Sequence, residues 1–445
     1  MHGTRWITKE RNLISTNPGG RGREPETKQM RHGLRFIQYL RQSDWASNYQ
    51  LALKDLYQVY LDFPVPFYSG EFDASFKLRV TRPGCEYNGP VDTGSDAIEE
   101  LLPEWLKHAA VSGFGDVKTQ ETKFDNEVRQ ASEILPEEFS VDQELIERIQ
   151  EEWSIRFLPR KVKAVPYKIH IYGPGGHFKS HRDTPEKDLV GTFLVGLGDS
   201  GWSWGPSGYF CIQDEKFWAK ACSWVAFHPD VAHSVSKLSK NQHRAVIAFK
   251  IFRDNSVASD ALPEELKDRT IAVLERLQPP YGIFLDRQYC IGTSKMSGFD
   301  LILTASGMSR PNTRARVIPV VTTFEASMDV DDYSNECTFS TRVYPFSKAH
   351  IDLLVGEDGE RADDEVIQWL QGVKDVPFYF VSLKDTTVPW QQDSDEGAEH
   401  TGNESRPASE DSIYLSYAMI VLPISANDGD KESELDEESV SSDDD

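Results

Sequence analysis

Residues 161–185 read KVKAVPYKIHIYGPGGHFKSHRDTP, and here the spacing of apolar residues changes from helical to alternating. Alternation with a period of two is typical of half-buried β-strands. Further short runs rich in strand-forming residues follow, separated by turn residues: 189–197, 208–212, 223–227, 233–238 and 244–252. Together with 161–172, these runs predict a sandwich or barrel of antiparallel strands.

Histidines concentrate in this predicted strand region, where six of the eleven lie between His170 and His243. His181 and Asp183 are two residues apart, so on an extended strand their side chains point the same way. His233 opens a later predicted strand. Two histidines and one carboxylate on one face of a metal leave three positions open, as in the facial triad of non-haem Fe(II) oxygenases. A structural hydrogen-bonded set, or a site for another metal, is the alternative for the same residues.

A basic residue follows the last of these histidines at a position that suits an acidic ligand. Arg244 lies in His243-Arg-Ala-Val-Ile-Ala-Phe-Lys, and alternation places Arg244, Val246 and Ala248 on one face of that strand. Arginine pairs with carboxylates through two parallel hydrogen bonds. A dicarboxylate could therefore chelate iron at one end and bind Arg244 at the other.

Several motifs together carry a resemblance to a known family. They are Tyr172-Gly-Pro-Gly, Phe178…His181-Arg-Asp183-Thr-Pro, Gly191-Thr-Phe-Leu-Val, Trp224-Val-Ala-Phe…Asp230…His233-Ser-Val and His243-Arg244. With these motifs the chain resembles the Fe(II)/2-oxoglutarate-dependent dioxygenases of the prolyl-4-hydroxylase type, including large uncharacterised fungal members. The strong part covers about 165–252, and a looser likeness extends over 63–165 and to Thr401-Gly-Asn-Glu404.

The resemblance implies roles for individual residues. His181, Asp183 and His233 would hold Fe(II) as the catalytic centre, and Arg244 would bind the C5 carboxylate of 2-oxoglutarate. The further candidates for contact with this co-substrate are Tyr172, His170 and Thr192. O₂ would be the second co-substrate, and ascorbate is a possible supporting reductant. Tyr172 also fits a core tyrosine, and His177, His228 and His243 are interpreted as structural neighbours.

The fold that the resemblance implies is α+β, with a double-stranded β-helix (jelly-roll) core, flanking helices and a mixed C-terminal region. The expected division is a disordered basic N-terminus (1–33), a dioxygenase domain with an N-terminal helical part (34–255, core strands 161–252), a mixed α/β C-terminal domain of unassigned role (256–425) and a disordered acidic tail (426–445). The tail has ten acidic residues against one lysine from Asp428 to Asp445, a composition that cannot bury a core.

Helices are predicted on either side of the strand region. Apolar residues recur at roughly helical spacing from Leu34 to Phe63, and Ser140 with Gln143 suggests a capping box before a helix that buries Leu145, Ile149 and Trp153. A further helix is expected from Pro263 to Leu277, and the C-terminal region suggests a helix near 364–372 and strands near 316–323, 377–383 and 413–422.

The composition excludes several classes of protein. The 445 residues carry 48 basic and 72 acidic side chains, a net charge of −24, which disfavours binding of nucleic acid across the surface. We find no apolar run long enough for a membrane span and no signal peptide. The five cysteines are widely spaced without a CxxC pair, so a disulfide framework is not expected. A cytoplasmic or nuclear protein is the expectation.

Two functions of different classes remain open at this point. The first is an Fe(II)/2-oxoglutarate-dependent dioxygenase that hydroxylates a C–H bond of a protein (prolyl-type) or small-molecule substrate, with release of succinate and CO₂. Many relatives carry a Gly-Gly pair where this chain has Gly198-Asp-Ser-Gly-Trp-Ser-Trp, which puts the substrate in question more than the activity. The second is a non-catalytic binding or scaffold protein built on the same jelly-roll. The oligomeric state is not indicated by the sequence.

Overall fold

In the computed structural model, the segment from 161 to 253 forms strands of two antiparallel sheets. The structure describes residues 47–63, 66–93, 97–116, 121–184, 186–200, 208–256, 261–289, 293, 295–328, 337–345, 376, 378–380 and 411–424. The expected terminal segments 1–33 and 426–445 and the expected helix near 364–372 lie outside these ranges.

The larger of these two is a seven-stranded antiparallel sheet. In spatial order its strands are Phe67–Glu71 (β1), Ser223–Phe227 (β15), Leu189–Ser200 (β12), His243–Arg253 (β17), Val162–Tyr172 (β10), Ser132–Ile134 (β8) and Ala110–Val111 (β4). Residues Arg244–Phe249 are buried without interruption, because both faces of the sheet are covered. Such central strands read as continuous apolar runs rather than as an alternating pattern.

A second, five-stranded antiparallel sheet faces the first. In spatial order its strands are Glu215–Phe217 (β14), Phe210–Ile212 (β13), His233–Val235 (β16), His177–His181 (β11) and Arg129–Gln130 (β7). Between β10 and β17 the chain passes back and forth between the two sheets, and only β13 and β14 follow each other within one sheet. The apolar layer between the sheets contains Tyr172, Phe178, Phe210, Ile212, Val225, Phe227, Val231, Val235 and Leu238.

Two helices cover the outer face of the seven-stranded sheet. Helix Gln143–Arg156 (α3) buries Leu145, Ile149 and Trp153, as predicted. Its cap differs from the prediction: the Asp142 side chain accepts a hydrogen bond from the Leu145 backbone N–H at 3.2 Å. Ser140 instead lies within strand Phe139–Val141 (β9), so the expected capping box starting at Ser140 is wrong. The shorter helix Leu102–His108 (α2) buries Leu102 and Trp105 in the same apolar layer.

Smaller elements complete this half of the molecule. They are the three-stranded sheet of Tyr87–Val91 (β3), Phe76–Val80 (β2) and β9, the hairpin of Phe114–Asp116 (β5) and Glu121–Lys123 (β6), and the 3₁₀ turns Glu99–Leu101 and Pro136–Glu138.

The C-terminal region contributes a second mixed sheet with its own helices. The sheet order is Cys337–Pro345 (β20), Thr313–Met328 (β19), Asp411–Pro423 (β22), Tyr281–Phe284 (β18) and Phe378–Phe380 (β21), with only the β18–β21 pair parallel among the pairs described. The strands predicted near 316–323 and 413–422 are therefore longer than expected. Helices Glu264–Leu274 (α4) and Gly298–Met308 (α5) pack beside this sheet.

The first described helix belongs to this C-terminal core. Helix Ser47–Asp62 (α1) packs Ala52, Leu56 and Val59 against apolar side chains of α4, α5 and β22. These contacts cross the boundary that the sequence suggested near residue 255. No helix within the described ranges is long and apolar enough to cross a membrane.

Candidate metal and co-substrate site

His181, Asp183 and His233 meet at the end of the five-stranded sheet. His181 is the last residue of β11 and His233 the first of β16, and the two stand directly opposite each other in the antiparallel register. Asp183 follows β11 by two residues. One ligand atom from each side chain lies within 4.8 Å of the others, and His233 Nε2 is 3.7 Å from Asp183 Oδ1. The arrangement can hold one metal ion between three protein ligands.

The backbone orients both imidazole rings. The Nδ1 of His181 lies 2.9 Å from the Lys179 carbonyl oxygen, and the Nδ1 of His233 lies 2.8 Å from the Val231 carbonyl oxygen. A carbonyl oxygen only accepts, so each Nδ1 carries the proton and each Nε2 keeps a free lone pair. Burial, followed by the charges of His233 and Arg129, lowers the pKa of His181 well below its usual value. His181 is therefore neutral at pH 7, which is the form that binds a metal.

The carboxylate of Asp183 is held by Thr192. The Thr192 hydroxyl on β12 donates to Asp183 Oδ2 at 2.5 Å, while Oδ1 is the oxygen nearest His233. The Asp183 backbone N–H donates to the Pro229 carbonyl at 2.9 Å. The sequence suggested Thr192 as a co-substrate contact, and the structure places its hydroxyl on the Asp183 carboxylate.

A cavity of about 560 Å³ lies between the two sheets, and His181, Asp183 and His233 lie in its wall. It is also lined by every other residue singled out from the sequence as a co-substrate contact, namely Arg244, Tyr172, His170 and Thr192. Val246 and Ala248 line it as well, as the alternation of β17 predicted.

Arg244 provides a buried positive charge in this cavity. It is 2% exposed, and its Nη1 donates to the Phe217 carbonyl at 3.3 Å and lies 3.6 Å from Asp199 Oδ2. Its Nε has no hydrogen-bond partner among the described residues. Burial lowers the pKa of Arg244 and the charge of Asp199 opposes that change. A buried guanidinium in a cavity wall is suited to an anionic ligand.

Tyr172 and His170 lie on the same wall. Tyr172 is the register partner of Arg244 across β10 and β17, and its ring also packs in the apolar layer between the sheets. Both interpretations of this tyrosine, core residue and cavity residue, therefore describe its position. Burial, followed by the charges of Arg129 and Lys168, lowers the pKa of His170 well below its usual value, so its ring is neutral at pH 7.

Arg129 is a second buried guanidinium of the cavity, and the sequence interpretation missed it. It is 8% exposed, donates to the Gly113 carbonyl at 2.8 Å and lies 3.0 Å from His170 Nδ1. Its guanidinium stacks 4.4 Å from the Phe178 ring centre, and that ring in turn stacks on His181. The Nε of Arg129 has no hydrogen-bond partner in the described part of the chain. Only the pairing of β7 with β11 brings Arg129 to the site.

His228 and His177 lie outside the group formed by His181, Asp183 and His233. His228 is buried, its Nδ1 lies 2.9 Å from the Val190 carbonyl oxygen, and its ring packs on Trp153 and Phe157. His177 Nδ1 lies 3.0 Å from the Gly175 carbonyl oxygen. Both therefore have structural contacts, as expected. The two tryptophans expected beside the site, within 201–207, lie outside the described residues.

Comparisons with known proteins give matches at the level of structure. No protein-family model and no curated protein sequence matches the chain. A prolyl-4-hydroxylase of Pseudomonas putida matches with 13% identity and a TM-score of 0.29 over 45% of this chain and 99% of its own. The collagen prolyl hydroxylase of Paramecium Bursaria Chlorella virus-1, in a 2-oxoglutarate complex, matches with 12% identity and a TM-score of 0.27 over 43% and 97%.

A third structure is a prolyl hydroxylase from Trichoplax adhaerens bound to a hypoxia inducible factor peptide. It matches with 13% identity and a TM-score of 0.29 over 50% of this chain and 97% of its own. At these TM-scores the likeness carries no functional argument, so the interpretation of this chain rests on the geometry of its own site.

Proposed function

We propose that this chain is an Fe(II)- and 2-oxoglutarate-dependent dioxygenase whose two facing sheets form a double-stranded β-helix. One observation carries the proposal: His181, Asp183 and His233 converge in the wall of a cavity that also contains the buried Arg244. Two imidazole nitrogens and one carboxylate are the donor set of non-haem iron oxygenases, which leave positions free for other ligands.

The residues present fit both iron and 2-oxoglutarate. The Nε2 atoms of His181 and His233 are available for a metal, because each Nδ1 donates to a backbone carbonyl. The Thr192 hydroxyl donates to one carboxylate oxygen of Asp183 and leaves the other for the metal. Arg244 supplies a buried positive charge in the cavity wall for the distal carboxylate of the co-substrate. When bound, iron and 2-oxoglutarate together activate O₂ for oxidation of a C–H bond, with release of succinate and CO₂.

The chain's own contribution is binding, orientation and exclusion of water. The backbone bonds of the two histidines and the hydroxyl of Thr192 fix the ligand side chains before the metal arrives. Arg244 and the alternating side chains of β17 orient the co-substrate between the sheets. Apolar side chains of the cavity wall, Leu194, Phe227, Val246 and Ala248, keep the region around the reacting atoms dry.

For the substrate we propose a C–H bond of a protein, of the prolyl type, or of a small molecule. The motifs that resemble prolyl-4-hydroxylases support the first, and a cavity of about 560 Å³ has room for either beside a co-substrate. The net charge of −24 disfavours nucleic acid. Ascorbate is proposed as a supporting reductant.

The experiment is an anaerobic titration of the protein with Fe(II) and 2-oxoglutarate. We expect a weak visible charge-transfer band that is lost in His181→Ala. His177→Ala is the matched control, since His177 lies on the same strand but outside the three ligands, and this variant should keep the band. Metal-loaded wild-type protein without the band would refute the proposal. Slow succinate formation on admission of O₂ separates the enzyme from a non-catalytic scaffold, which would form none.

A further inference from the structure

An ion pair joins the C-terminal region to the loop that precedes His233. Arg287 follows β18, and its Nη1 lies 3.1 Å and 3.4 Å from the two carboxylate oxygens of Asp230. The two side chains are only 10% and 8% exposed. Arg287 is therefore a buried cation that forms an ion pair with Asp230, in the loop that precedes His233.

Residues 229–231 form the loop that contains Asp230. Their three successive carbonyl groups contact donor groups on or beside the proposed metal ligands. The Pro229 carbonyl accepts from the Asp183 backbone N–H at 2.9 Å, and the Val231 carbonyl lies 2.8 Å from His233 Nδ1. Between them, the carbonyl of Asp230 itself accepts from Arg182 Nε at 3.1 Å. A shift of Asp230 would thus move the hydrogen-bond partners of two ligands and of the residue between His181 and Asp183.

Arg287 is itself held rigidly from the other side. The Asp300 carboxylate, in the first turn of α5, accepts from the backbone N–H of Asp286 at 2.9 Å and of Arg287 at 2.8 Å. The Tyr289 hydroxyl donates to the same carboxylate at 2.8 Å. The Tyr60 hydroxyl of α1 donates to Asp286 at 3.0 Å. The position of the guanidinium is thus determined by α1, α5 and the segment after β18.

We infer that Arg287 is a positioning residue for the metal centre and that the C-terminal region, through the Arg287–Asp230 pair, is part of the metal site. The inference rests on the proposed function, because it assumes that His181, Asp183 and His233 bind a metal. It gives the region after residue 256 a role that its sequence did not indicate. Residues that orient metal ligands typically change metal affinity or activity by about 10- to 100-fold when they are replaced.

The test is a titration of metal-free full-length protein with Co(II), without 2-oxoglutarate, followed by the visible absorption of the bound metal. We expect Arg287→Gln and Asp230→Asn each to raise the Kd for Co(II) by about 10-fold and to change the absorption bands, which report ligand geometry. The double variant should be no weaker than either single variant, because the two residues act as a unit.

Arg82→Gln is the matched control. Arg82 forms a two-oxygen pair with Glu138 at 2.7 Å and 2.9 Å, beside the three-stranded sheet and outside the cavity wall. It should lower the melting temperature without changing the Kd or the bands. If Arg287→Gln does not fold, the double variant, which removes both charges of the Arg287–Asp230 pair, takes its place.

Two results would overturn the inference: a Kd in the Arg287 and Asp230 variants within twofold of wild type, or an equal weakening in Arg82→Gln. Failure of the wild-type protein to bind Co(II) would instead refute the proposed function, so the two failures are distinguishable.

Discussion

Replacement of Thr192 by valine tests what the hydroxyl of this residue does. The two side chains have nearly the same shape, so the substitution removes the 2.5 Å hydrogen bond to Asp183 Oδ2 and little else. The sequence suggested that Thr192 contacts the co-substrate, whereas the geometry makes it a hydrogen-bond partner of Asp183, a proposed metal ligand. The two roles predict different changes in measurable constants.

The expected magnitude follows from the charge and exposure of the partner. A hydrogen bond to a charged group contributes about 1.5–3 kcal/mol. The Asp183 side chain is 28% exposed, so water can replace part of the lost bond and the lower half of that range applies. A loss of about 1.5–2 kcal/mol corresponds to a 10- to 30-fold weaker binding of the metal.

The assay is Mn(II) binding followed by electron paramagnetic resonance, together with the KM for 2-oxoglutarate at saturating Fe(II). We expect Thr192→Val to raise the Kd for Mn(II) with little change in this KM. Thr192→Ser, which keeps the hydroxyl, should stay within about threefold of wild type. An unchanged Kd with a raised KM would refute the reasoning and restore the role suggested by the sequence.

Three further changes have definite expectations. Arg244→Gln should raise the KM for 2-oxoglutarate by at least 10-fold, because charge-assisted bonds of about 1.5–3 kcal/mol are lost. The Kd for Mn(II) should stay unchanged. An unaltered KM would show that Arg244 does not bind the co-substrate. Burial lowers the pKa of His228 to about 3 from an ordinary 6.5, so the unfolded chain takes up the proton first and stability falls as the pH drops below about 6.5. Between pH 7 and pH 4 this residue should cost about 3 kcal/mol, and urea denaturation of His228→Asn should show a shallower dependence on pH; an equally steep dependence would contradict the expectation. Gly191→Ala should lower the free energy of unfolding by about 1–3 kcal/mol in the same urea assay. A Cβ at this position would lie 2.0 Å from the Trp153 ring and 2.8 Å from the Phe227 carbonyl oxygen. Stability equal to that of wild type would show that Trp153 can move aside.

The strand region was the most predictable part of the fold. Runs such as 223–227 are bounded by turn residues, and their strand positions agree with the structure. The shared face of Arg244, Val246 and Ala248 also followed from the period of two alone. Strand β11 was not predicted as a separate element, because His177–His181 carries one buried apolar residue, Phe178, and so has no hydrophobic pattern to detect.

Contacts between distant parts of the chain could not be predicted in the same way. Arg129 reaches the site through the pairing of a two-residue strand, β7, with β11, and so short an element has no sequence signature. The position of the Thr192 hydroxyl depends on a side-chain contact between β12 and the residues after β11. The packing of α1 on the C-terminal helices joins segments more than 200 residues apart, and an amphipathic pattern indicates that a face is buried but not against what.

The direct opposition of His181 and His233 across β11 and β16 has a consequence for how this protein can diversify. The number of residues between the two histidines is irrelevant to the metal, because strand pairing alone sets the distance between their rings. Insertions in the connection between β12 and β13 lengthen the chain without displacing either ring. That connection can therefore be exchanged, in evolution or by loop grafting, while the relative position of the two rings is kept.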